Sequence, residues 1–126
     1  NQTISGDCEV TLDDQKLINR FARLNAKCDE LQIEINNKNR ELQNLEEAVN
    51  EMVLTDEALV QTGEIFAQLD NDAASEFCEE KKKLLTQEIQ IKKQCLDSMK
   101  DEMSQIKVTL YAKFGSNINL EYDDES

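Results

Sequence analysis

Apolar residues recur along this chain in steps of four and three. In the first half Leu17, Phe21, Leu24, Cys28, Leu31, Ile35, Leu42, Leu45, Val49 and Met52 fall on one line, interrupted only by Lys38. In the second half Cys78, Leu85, Ile89, Leu96, Met99, Met103, Ile106 and Leu110 repeat the device, with Lys82, Lys92 and Lys113 in the remaining slots. This spacing keeps side chains on one helical face, and over about five heptads it predicts two coiled-coil helices. They are expected over 13–52 and 71–114, leaving a tail at 1–12, a connection at 53–70 and a second tail at 115–126, all within one domain. Thr11 is placed to cap the first helix, with Asp14 near its positive end. Asp70 to Asp72 offer capping oxygens before the second, and Gly115 stands where helices commonly stop.

Antiparallel helices zip together when facing positions keep a constant sum of residue numbers. Leu24 with Ile106, Leu31 with Met99, Leu45 with Leu85 and Met52 with Cys78 all satisfy that condition. One helical hairpin is therefore expected, with Lys38 and Lys92 sharing a layer, their stems along the seam and their heads in water. Cys28 then faces Met103 and Cys78 faces Met52, so packing rather than disulfide formation is the expected role of both thiols. The connection holds Leu59, Val60, Ile65, Phe66 and Leu69 around Thr62-Gly63, and its β-prone residues predict a β-hairpin. A lone two-stranded hairpin exposes its edges and apolar side chains. Those five residues are expected to mediate assembly with neighbouring chains.

Composition narrows the chemistry. The 126 residues include no His, no Pro and only three Gly, which favours uninterrupted helices and removes the commonest general base and metal ligand. Four scattered cysteines form no C-x-x-C pair, so no metal site, cofactor or catalytic residue is expected. Net charge is −13, with −5 falling between residues 53 and 74 and −4 between 114 and 126. Nucleic acid needs a basic stripe and is excluded as a partner. No apolar run suits a membrane span, and a cytoplasmic location with reduced thiols is expected.

Several segments resemble those of the β-class prefoldin subunits. They are Val10-Thr11-Leu12-Asp13-Asp14-Gln15 with Ile18-Asn19-Arg20-Phe21-Ala22-Arg23, Leu42-Gln43-Asn44-Leu45-Glu46, Gly63-Glu64-Ile65-Phe66, and Leu110-Tyr111-Ala112-Lys113-Phe114-Gly115-Ser116-Asn117-Ile118-Asn119-Leu120-Glu121. The stretch Leu59-Val60-Gln61-Thr62 before the glycine is shorter than the family pattern. The resemblance implies a mainly α fold, a long antiparallel two-helix coiled coil joined by a β-hairpin. It also implies a heterohexameric chaperone of two α-class and four β-class subunits, whose hairpins build a double β-barrel. Such a complex captures unfolded actin and tubulin without ATP and delivers them to the cytosolic chaperonin. The client-binding tip would then comprise Val10, Leu12, Phe21, Leu24, Leu110, Tyr111, Phe114, Ile118 and Leu120. The competing reading is a structural coiled-coil adaptor that spaces two partners and holds no unfolded chain.

Overall fold

The structure, a computed structural model, describes residues 3–4, 9–115 and 118–119. Four elements follow in order: β1 (Thr3–Ile4), α1 (Leu12–Thr62), α2 (Ile65–Phe114) and β2 (Ile118–Asn119). They divide into two compact units, one made of Asn1–Ile33 with Gln94–Ser126 and the other of Glu34–Lys93.

In the first unit α1 begins with a capping box. The Asp14 amide donates to Thr11 Oγ1 at 3.2 Å, and the Thr11 amide donates to Asp14 Oδ2 at 3.0 Å. Two helix-end amides that α1 cannot pair internally are thus satisfied. Lys113, in the last turn of α2, donates to the same Asp14 carboxylate, so the first turn of one helix is tied to the last turn of the other. Ile18, Phe21, Leu24 and Cys28 of α1 and Leu96, Met103, Ile106, Leu110 and Phe114 of α2 are buried in this unit. Cys28 Sγ lies 3.7 Å from Met103 Sδ, the pairing that the heptad register requires. Arg20 crosses between the helices and donates through Nε and Nη2 to both Glu102 oxygens, at 2.7 and 3.0 Å. Gly115, at φ +60°, follows the end of α2 as expected. Beyond the helices β1 and β2 pair antiparallel, Thr3 opposite Asn119 and Ile4 opposite Ile118. No sequence pattern pointed to that pair.

Thr11→Ala is expected to cost about 1 kcal/mol by losing the cap, measurable by urea denaturation. Hydrogen bonding from Lys113, followed by the Thr11 amide, holds the Asp14 carboxyl below its ordinary value of 3.8. A depressed carboxyl contributes stability that is complete above its unfolded pKa and is lost as pH falls through the folded one. Wild type should therefore melt above Asp14→Asn at neutral pH, and the two should converge as pH falls through the depressed folded value of Asp14.

In the second unit the seam continues with Ile35, Leu85 and Ile89 buried and Leu42, Leu45, Val49, Met52 and Cys78 half-buried. Lys38 and Lys92 lie along this seam as expected, but each head finds a carboxylate on the opposite helix. Lys38 reaches Glu88 at 2.7 Å and Lys92 reaches Glu34 at 3.0 Å, with the two lysine side chains only 28% and 29% exposed. Two like charges share the seam because two acids flank it.

The connection departs from expectation. Where residues 53–70 were to form a β-hairpin, α1 runs on to Thr62 and α2 begins at Ile65. Gly63 makes the turn at φ +69°. The Gly63 amide donates to the Val60 carbonyl at 3.4 Å and the Glu64 amide to the Leu59 carbonyl at 3.2 Å. This Schellman arrangement needs a residue in the left-handed region, which glycine adopts without steric cost. Helix wins because Leu, Ala, Glu and Gln dominate the segment, and because a helix pairs its backbone groups within itself. A lone hairpin leaves its outer backbone groups to solvent. The four-three step also persists, through Asp56 and Leu59 on α1 and through Asn71, Ser75 and Cys78 on α2. Asp70 to Asp72 consequently lie inside α2 rather than capping it.

Candidate functional site

Near the turn the second unit reverses the usual polarity of a helix pair. Its half-buried positions there are largely polar: Asp56, Gln68, Asn71 and Ser75, with Leu59 the apolar member. Asn71 Nδ2 donates to the Met52 carbonyl at 2.9 Å, a side chain answering the other helix's backbone. The large apolar residues face outward instead. Val60, Ile65, Phe66 and Leu69 are exposed, Phe66 to 85%. Of the five residues assigned to assembly, only Leu59 turns inward.

Sequence reasoning missed Val53, Leu54 and Phe77, which are exposed in the same stretch of the chain. The signal was present: Phe66, Leu69, Ala73 and Phe77 follow one another at helical spacing. Phe77 falls within the expected second helix, 71–114, but off its seam, and so outside the expected assembly residues.

The terminal surface lies in the first unit, where α1 begins and α2 ends. Among the residues assigned to the tip, Phe21, Leu24, Leu110 and Phe114 are core, with Phe21 at 0% and Leu110 at 1% exposure. Val10, Leu12 and Tyr111 are exposed, Leu12 to 71%. Ile118 lies in β2, and Leu120 falls outside the described residues. Val108, also missed, is exposed and borders a shallow depression with Ser104, Gln105 and Thr109. Lys107 Nζ sits 5.7 Å from the Tyr111 ring centroid, a distance at which the ring face attracts a cation. The exposed Tyr111 ring thus carries a lysine against its face.

Several charged side chains pair across the helices. Hydrogen bonds from Lys38 and Arg20 hold Glu88 and Glu102 below the usual carboxylate range. Burial pushes the Cys28 thiol up, which keeps it protonated and inert. Cys78 and Cys95 are free thiols as well. Among the described residues no group of three or more His, Cys, Asp or Glu is placed to hold a metal ion, and no helix is long and apolar enough to cross a membrane.

Residues 15–117 match the family model described as "Prefoldin subunit". The chain belongs to the prefoldin subunit family. Prefoldin subunit 4 of Homo sapiens is 41% identical over 122 residues, covering 94% of this chain and 91% of the relative. Probable prefoldin subunit 4 of Drosophila melanogaster is 36% identical over 121 residues, covering 94% and 88%. Prefoldin subunit 4 of Saccharomyces cerevisiae is 28% identical over 116 residues, covering 90% of each chain. No solved structure matches the chain. Membership makes this a component of the prefoldin chaperone complex, and its paired helices, as described in each unit, suit the prefoldin fold.

Proposed function

We propose that this chain is a β-class subunit of heterohexameric prefoldin, with two α-class and further β-class subunits as its partners. The observation that carries the assignment is the reversed polarity of residues 53–77, where Val53, Leu54, Val60, Ile65, Phe66, Leu69 and Phe77 are exposed over a polar seam. Large apolar side chains left exposed in such number within one segment are normally covered by a partner. Neighbouring subunits cover them here.

The terminal surface holds the client. Val10, Leu12, Val108 and Tyr111 offer apolar contact without a shaped pocket, which suits a chain with no fixed structure of its own. Each contact is weak, and several tips acting on one client multiply their affinities. Unfolded actin and tubulin are captured in the cytoplasm without ATP and passed to the cytosolic chaperonin. Neither nucleic acid nor membrane takes part, and no catalytic step is involved.

The test uses the reconstituted complex and denatured actin diluted into buffer, followed by light scattering. Wild-type complex should suppress aggregation, and a complex carrying Leu12→Ser, Val108→Ser and Tyr111→Ser should suppress it several-fold less. Equal suppression by both would remove the terminal surface from the client site. A complex that assembles normally yet never suppresses aggregation is an adaptor.

A further inference from the structure

The apolar surface around the turn lies in a segment whose charge is entirely of one sign. From Glu41 to Glu80 the chain contains twelve acidic residues and no Lys or Arg, the nearest bases being Arg40 and Lys81. Glu57, Glu64 and Asp70 are exposed among Val53, Leu54, Val60, Ile65, Phe66 and Leu69. Acid reaches even into the seam. Asp56 Oδ1 is buried without a hydrogen-bond partner, and burial, followed by the charge and hydrogen bonding of Asp72 opposite, pushes the Asp56 carboxyl up. The ion pairs of the second unit that draw on a base end at Lys38, Lys81, Lys83 and Lys92. Among the described residues none reaches an acid between Glu46 and Glu79.

We infer that this face recognises a partner surface that is both apolar and rich in Lys and Arg, and that it repels a second copy of itself. Given the subunit assignment, the partner is the sibling prefoldin subunit seated against residues 53–77. The apolar side chains supply adhesion in either case. Two copies would bring like charges together across the contact, whereas a basic sibling would bring opposite charges. Uncompensated acids around an apolar patch therefore act as a partner filter, with the attraction felt before contact and screened by salt.

The experiment has two arms on the full-length chain. In the first, the chain alone is followed by sedimentation velocity at about 0.05 M and about 0.5 M salt, where the screening length differs several-fold. A monomer at low salt that self-associates at high salt supports the inference; a stable homo-oligomer at low salt overturns it. In the second, stopped-flow association with the sibling subunits is compared for wild type and for Glu57→Lys with Glu64→Lys and Asp70→Lys, helicity being checked by circular dichroism. Wild-type association should slow at least tenfold across the same salt range, and the reversed variant should associate at least tenfold more slowly at low salt. A wild-type hexamer whose formation ignores both salt and charge reversal overturns the partner filter and leaves the subunit assignment standing. No complex with any sibling at either salt overturns the subunit assignment, and the first arm then decides the self-repulsion by itself.

Discussion

Phe21→Ala is expected to destabilise the chain by about 3–5 kcal/mol, because removing a fully buried aromatic loses its transfer free energy and leaves a cavity. Phe21 has no solvent-exposed surface, and Leu110 and Met103 in the same unit are almost as closed. A two-helix core is thin, so few neighbouring side chains can move in to fill the space. For a chain of this size the melting temperature should fall by about 10–20 °C. Leu12→Ala provides the contrast. Leu12 begins the same helix but is mostly exposed, so its loss should stay within about 0.5 kcal/mol. Thermal melts of the two variants separate the tip residues that hold the helices together from those left to touch a client. Equal, small losses would show that Phe21 is not core.

Phe66→Ser with Phe77→Ser should leave the free chain's melting temperature nearly unchanged and abolish its entry into the complex. Both rings are exposed on α2, so the free chain loses little packing when they go. At an interface the same rings would be anchors, and truncating one anchor costs about 2–4 kcal/mol of binding. For each ring that is roughly a thirty-fold or greater loss of affinity. Size exclusion with light scattering on mixtures of this chain and its siblings measures the outcome. Normal hexamer formation by the double variant would show that the outward face of α2 is not the assembly surface.

Much of the fold is legible in residue spacing. Leu24, Cys28 and Leu31 on one helix, with Met99, Met103 and Ile106 on the other, establish an antiparallel register that the Cys28–Met103 contact then meets. The N-terminal cap was equally readable, because Thr11 and Asp14 interact over three residues of sequence. The candidate surfaces were only half legible. Spacing puts Phe21 and Leu110 on one face with the seam, yet both also belong to the expected client tip because apolar and aromatic residues gather near the termini. Near Thr62-Gly63 two periods competed over a short stretch. Val60, Thr62 and Ile65 favour strand by residue type, while Asp56, Leu59, Asn71 and Ser75 keep the helical step. A polar seam residue carries little weight in a hydrophobicity pattern, so the helical signal there was the quieter one.

By itself the sequence determined two amphipathic helices, their antiparallel pairing, the cap at Thr11 and the stop at Gly115. Those features depend on local backbone preferences and on a repeat that survives any single exception. Only the tertiary structure decided the helical turn at Gly63, the carboxylates opposite Lys38 and Lys92, the strand pair of the two tails, and which apolar side chains remain outside. Each of these depends on what the opposite helix or the distant tail brings alongside, and that neighbour lies many residues away in the chain.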